Sequence, residues 1–244
     1  NTTKEDIQAL NYRPMNKFMA ANMFTITPLA SLSNRRIANL LSISFGNSIV
    51  YAEQNIQAAY FIPIAFYKSL DHLLTKGVAT QNQNSQVFAS LSVRPINHLQ
   101  LYGSFFVDEV KFKRFKPSYP EKNPISYLVG FNWSGWPIKG LSLKGEFMRS
   151  YIACYTHSID ILAWTSNSYN MGHYMGDNAQ SSYAELAYRP VRGLLLKLSY
   201  TNDTKYNSYA YQRDNISETI SEKPFDHCIY RNNEVRLDGI FEPH

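Results

Sequence analysis

SQVFASLSVRPINHLQLYGSFFVD, residues 85–108, decides the fold. Before the turn, Val87, Ala89, Leu91 and Val93 fall on one side, and Gln86, Ser90, Ser92 and Arg94 on the other, with Phe88 among them. After Pro95–His98, Leu99, Leu101, Gly103, Phe105 and Val107 share a face, opposite Gln100, Ser104 and Asp108. Successive side chains of an extended chain point to opposite sides. Period-two alternation on both sides of a short polar turn therefore predicts a β-hairpin.

The same pattern recurs along the chain. Ile125, Tyr127, Val129, Phe131 and Trp133 lead into Gly135-Trp136-Pro137, and Leu141, Leu143, Gly145 and Phe147 lead out. Ala184, Leu186 and Tyr188 precede Arg189-Pro190, and Leu194, Leu196, Leu198 and Tyr200 follow it. A further copy surrounds Pro28, with Phe18–Thr27 before it and Leu41–Tyr51 after it, and another begins at residue 233 with Val235, Leu237, Gly239 and Phe241. The turn prolines at 28, 95, 137, 190 and 243 are 67, 42, 53 and 53 residues apart. Two strands of about ten residues fill only part of each interval. The remainders, near 52–84, 109–123, 152–180 and 204–232, are long loops. Short turns thus lie at one end of the strands and long loops at the other.

Composition narrows the class. Of the 244 residues, 18% are charged and 14% aromatic, including 18 Tyr and 14 Phe. A disordered chain would be richer in charge and poorer in rings. The mean hydropathy of −0.33 and the lack of any apolar run near about 20 residues exclude transmembrane helices. The net charge is +5, but the basic residues are scattered, with one dense stretch at Lys111, Lys113, Arg114 and Lys116. Nucleic-acid proteins gather such charge into a stripe, so no nucleic-acid partner is expected.

Two architectures accommodate alternating hairpins. In a soluble β-sandwich the apolar rows meet between two sheets. In an outer-membrane barrel they face lipid, with short turns on one side, long loops on the other and aromatic girdles at the strand ends. Tyr127, Trp133, Trp136, Tyr151, Tyr188 and Tyr200 sit near strand ends. Strands of about ten residues match the length needed to cross a bilayer at a tilt. The expected fold class is all-β: an antiparallel transmembrane β-barrel of the outer-membrane type. Residues 1–244 would supply nine or ten strands, part of a longer barrel, because the last repeat stops in its turn.

Three segments, SISFGNSIVYAEQNIQAAYFIPIAFYKSLDH (42–72), QNQNSQVFASLSVRPINHLQLYGSFFVDE (83–109) and SNSYNMGHYMGDNAQSSYAELAYRPVRGLLLKLSYT (166–201), resemble the capsule-assembly Wzi-like family of outer-membrane barrels. The likeness lies in an FGxxxVY strand, RP-turn hairpins and a GHxxGxNA-like lead into a strand. The resemblance implies a non-enzymatic barrel that binds or anchors capsular or extracellular polysaccharide in the outer membrane of a Gram-negative-type envelope. Its implied partners are membrane lipid, lipopolysaccharide, the polymer itself and other outer-membrane proteins. A passive porin-like channel and a scaffold subunit of a larger outer-membrane complex are the alternatives.

The candidate polysaccharide-binding residues are Tyr169, His173, Tyr174, Asp177, Asn178 and Gln180, where rings can stack on sugars and amides and carboxylates can bond hydroxyls. The other reading of this segment is a structured loop folded into the barrel mouth. Lys144, Glu146, Glu185, Lys197 and Arg236, with Glu234 and Asp238, fall on the polar strand faces as candidate lumen charges, either a selectivity ring or a salt-bridged interior. Glu146 and Glu185 could serve a glycosidase only at a suitable separation. The six histidines and two cysteines show no metal-ligand spacing, so no metal or cofactor is expected. Cys154 and Cys228 both fall in loop-side segments, where a disulfide is chemically allowed. The basic run at 111–116 falls in a loop and could attract acidic glycan or lipopolysaccharide phosphate. Residues 56–76 read as the end of a strand, broken at Pro63, then a short loop helix over Tyr67–Leu74 that could fold into the lumen.

Overall fold

The structure, a computed structural model, describes residues 16–74, 83–108, 116, 123–157, 159–167, 169–207 and 224–242. The basic residues Lys111, Lys113 and Arg114 lie outside the described residues, as does much of the loop ranges 109–123 and 204–232. Nine strands form one antiparallel sheet. They are β1 (Asn16–Ile26), β2 (Leu41–Glu53), β3 (Gln83–Ile96), β4 (Leu99–Asp108), β5 (Ile125–Ser134), β6 (Leu141–Ser150), β9 (Ala179–Tyr188), β10 (Leu194–Tyr206) and β11 (Cys228–Phe241). A two-stranded ribbon, β7 (Thr165–Ser166) with β8 (Tyr169–Asn170), lies in the loop after β6. Strand order follows the chain, so every main-sheet connection joins neighbours. Among the described residues β1 pairs only with β2 and β11 only with β10, and the sheet is open.

The expected hairpins are all present, because alternation and turn chemistry agree at each. Gly193 shows the constraint at one turn. Its φ is +84°, and a Cβ there would lie 2.6 Å from the carbonyl oxygen of Glu242. Only glycine accepts both demands.

Register sorts the side chains onto two unlike faces. One hydrogen-bonded row joins Ser48, Gln86 and Asp108, and another joins Tyr102, Gly130, Glu146, Tyr183 and Thr201, all on the polar face. The opposite face carries Ile43, Phe45, Leu91, Leu101, Phe105, Val129, Leu143, Leu186, Leu198 and Leu237, all exposed, from Phe105 at 39% to Leu237 at 77%. No second sheet packs on it among the described residues.

The polar face is covered in part by a loop. The loop after β6 touches strands from nearly the whole width of the sheet on this face. Lys17 of β1 donates to Ala163 O at 2.7 Å and to Thr165 Oγ1 at 3.1 Å. Asn84 of β3 donates to Leu162 O, and Asp108 of β4 accepts from Tyr155 N at 3.1 Å. Asp203 and Lys205 of β10 hold Tyr174 and Asp177. The burial core is therefore loop on sheet: Ala52 with Ile159 and Leu162, and Val50 with Cys154, Tyr155 and Trp164.

Residues 56–62 contain no strand, contrary to the sequence reading. They form a 3₁₀ turn, Ala58–Phe61, followed by the helix Tyr67–Leu74. Pro63 cannot donate to a ladder, and Tyr60 docks instead against Tyr51 and Tyr67. The helix is where expected but on the other side. It packs on the apolar face, through Ile49, Tyr51, Phe18 and Ala20. The physical reason is a polar patch there. Asn22 and Asn47 are paired neighbours on the apolar face, and both donate to Ala65 O while Asn47 Oδ1 accepts from Tyr67 N. The covering segment turns Phe61, Ile62, Ile64 and Phe66 outward, Ile64 being 87% exposed.

The apolar band runs obliquely. On β2 it spans Ile43 to Tyr51, and on β10 it spans Leu194 to Tyr200. Ile43 shares its cross-strand row with Asn202, already beyond the loop-side end of the β10 band. The band's centre thus slides about nine residues, ~30 Å, over six strand spacings, ~29 Å, and crosses the strands at about 45°.

Candidate functional site

A cavity of about 370 Å³ lies on the polar face beneath the β6–β9 loop, lined by Leu128, Lys144, Glu146, Met148, His173, Tyr174, Ser181, Tyr183 and Thr201. It brings together two groups that the sequence keeps apart: the charged strand residues Lys144 and Glu146, and the loop residues His173 and Tyr174.

Gly130 makes this arrangement possible. It lies between Tyr102 and Glu146 in one row, and a Cβ on it would sit 2.7 Å from the Tyr102 ring and 2.9 Å from Gly145 O. The missing side chain lets Tyr102 lean across β5 and donate to Glu146 Oε1 at 2.5 Å. Lys144 approaches the same oxygen at 3.1 Å and stands 5.6 Å from the Tyr183 ring centroid. A second cluster follows on the neighbouring strands, where Tyr183 donates to Glu185 Oε2 at 2.6 Å and Lys197 pairs with it at 2.9 Å. The carboxylates are thus held by a phenol and an ammonium each. Both ion pairs are partly exposed on the polar face of the open sheet. Arg236 bonds Asp238 on its own strand, and its side chain is largely exposed.

The loop residues divide. Tyr174 donates to both oxygens of Asp203 at 2.8 Å and lies 3.4 Å from Ser181 Oγ. Burial raises its phenol above the ordinary value, reinforced by Asp203. His173 packs its ring 4.3 Å from that of Tyr174, and burial lowers its imidazole below the ordinary 6.5, with Asp203 opposing the shift. Its Nδ1 accepts from Met175 N at 3.3 Å. These two rings face the cavity.

The remaining loop candidates lie elsewhere. Tyr169 is 79% exposed on β8. Asp177 is buried, accepts from Ala153 N and pairs with Lys205 at 2.8 Å. Asn178 is fully buried, accepting from Phe225 N and donating to Asn207 O, so it ties two loops together. Gln180 lies on the apolar face, bonded to Arg149 and Tyr206. Sequence reasoning missed Tyr102, Tyr183 and Asp203. The available signal was their parity, since each falls on the polar side of its strand.

Cys154 is buried and Cys228 exposed, and both are free thiols; burial pushes the Cys154 thiol well up. Among the described residues no cluster of His, Cys, Asp or Glu could hold a metal ion, and no helix is long and apolar enough to cross a membrane. Comparison with protein-family models, curated proteins and solved structures finds no match.

Proposed function

We propose that this chain is wall and partial plug of an outer-membrane β-barrel that holds a hydroxyl-rich extracellular polymer without altering it. The observation that carries the reading is the inversion of the sheet. Apolar residues stand exposed on one face of all nine strands, while the charged face is covered in part by its own loop. Lipid is the solvent for which such a face is built. The band's angle of about 45° to the strands supports the same reading, since membrane barrels tilt their strands by about 35–45°. The apolar residues Ile125 to Trp133 of β5 cover ~27 Å along the strand, or ~19 Å of height at a tilt of about 45°, somewhat below the ~25 Å of an apolar barrel band.

The cavity supports the sugar part. Tyr183, His173 and Tyr174 offer ring faces, Ser181 and Thr201 offer hydroxyls, and the Lys144–Glu146 pair offers a donor beside an acceptor. Its paired charges suit an uncharged polyol better than a strongly acidic one. The resemblance of residues 42–72, 83–109 and 166–201 to Wzi-like barrels supports a capsular polysaccharide at the cell surface. The loop packed on the polar face weighs against a passive channel.

The test is a titration of the intact protein with purified neutral and acidic extracellular polysaccharides. The reading expects retention of the neutral polymer at unchanged chain length, weakened about tenfold by a Ser181→Ala, Thr201→Val double variant that removes the two hydroxyl partners. Failure to retain any polymer, together with steady single-channel conductance in planar bilayers, would establish the channel instead.

A further inference from the structure

The apolar face turns polar toward the loop ends of the later strands, and one cation there lacks a counter-charge. Arg149 near the end of β6 opposes Gln180 of β9. Its guanidinium carbon lies 4.4 Å from the Phe225 ring centroid and 5.8 Å from that of Phe147. Its Nη2 donates to Gln180 Oε1 at 3.0 Å, and Gln180 Nε2 donates to Tyr206 Oη at 3.0 Å. Its Nε is enclosed and has no acceptor. On the polar face Lys144, Lys197, Lys205 and Arg236 each pair with a carboxylate, whereas no carboxylate pairs with Arg149 among the described residues.

A guanidinium held against rings, with no carboxylate on it among the described residues, presents the planar fork that recognises phosphate. Leaving such a charge uncompensated in apolar surroundings is costly. We propose that Arg149, steadied by Gln180 and Tyr206, clamps the phosphate of a membrane-lipid headgroup at the loop-side edge of the apolar band. The source is a lipid rather than free phosphate because the band continues below. Phe147 is the next residue of the same face on β6, and Val129 and Tyr127 are the neighbouring ones on β5, a surface on which acyl chains can lie. The proposal rests on the membrane-wall reading above.

The intact protein is folded into phosphatidylcholine vesicles and titrated with lipopolysaccharide, with its enzymatically dephosphorylated form, and with inorganic phosphate. The clamp expects at least about fivefold tighter binding of the phosphorylated lipid, lost in Arg149→Gln and partly kept in Arg149→Lys. Equal affinity of the wild-type protein for the two lipids, or an unchanged preference in Arg149→Gln, overturns it. Full occupancy by inorganic phosphate at the same concentration overturns the lipid source. Gel mobility of unheated against heated protein is read in parallel. A wild-type chain that shows no compact form in vesicles overturns the wall and the clamp together, while a compact form without phosphate preference overturns the clamp alone.

Discussion

The two faces of the β9–β10 hairpin differ more than any two regions of the chain. Leu186, Leu196, Leu198 and Tyr200 stand exposed on one side, while on the other Glu185 pairs with Lys197, and Ser181 and Asp203 both bond Tyr174. In a water-soluble sheet the apolar row is the covered one. Here it is the charged row that finds partners and the apolar row that has none. Strand β2 extends the lesson. Its residues 46–52 are buried on both faces, because the β6–β9 loop covers one side and the Tyr67–Leu74 helix the other. Burial in this molecule comes from loops laid on a sheet, and where no loop lies, the sheet presents hydrocarbon outward.

The strongest way to break the contrast is to put the same charge on each face in turn. Leu198→Arg, at the middle of the apolar row, is expected to cost ~2–4 kcal/mol of folding free energy in lipid vesicles, whereas the neighbouring Ser199→Arg costs less than ~1 kcal/mol. Denaturant titration in vesicles reads both. An apolar row that stands in water gives no such penalty at Leu198. Next in size, Gly130→Val drives a side chain into the Tyr102 ring and should cost ~1–3 kcal/mol by overpacking. It should also free Tyr102 from Glu146, seen as a new phenol titration by ultraviolet absorbance. A Gly239→Val control, whose Cβ meets only the far end of Leu196 at 3.9 Å, should cost far less.

Smaller again is the tether between roof and wall. Lys17→Met removes two hydrogen bonds to Ala163 and Thr165 and should loosen the 159–166 segment by about 1 kcal/mol, measured as faster amide exchange there with exchange in β9 and β10 unchanged. The least effect follows from His173. Burial lowers its pKa, so the docked loop binds fewer protons than the undocked one, and stability rises with pH. Loop protection is therefore complete above about pH 6.5 and declines as pH falls through that value toward the lowered one. His173→Gln should flatten this dependence. An unchanged slope in that variant assigns the pH response to other groups.

Much of this was legible in the sequence where two signals agreed. The hairpins around Pro95, Pro137 and Pro190 follow from period two plus a turn, and the polar parity of Lys144, Glu146, Glu185 and Lys197 follows from the same period. Pairing choice did not. Lys144 stands directly opposite Glu185, yet bonds Glu146 on its own strand, because the lean of Tyr102 over Gly130 fixes Glu146 first. The side taken by the Tyr67–Leu74 helix was also beyond reach. It depends on Asn22 and Asn47 meeting across two strands, a register fact that no local pattern carries. Asn178 read as a sugar contact and is a buried loop tie, since an Asn at a strand entrance looks alike in both roles until its partners are known.

The central claim is that the exposed apolar row meets hydrocarbon, and fluorescence quenching tests it most directly. With Cys228 replaced by Ser, single cysteines are placed in turn at Leu196, Lys197, Leu198 and Ser199 and labelled in protein folded into vesicles. Labels at 196 and 198 should be quenched by brominated acyl chains and spared by iodide, and labels at 197 and 199 should show the opposite pattern. Iodide quenching at all four positions, with no response to brominated lipid, would contradict the account.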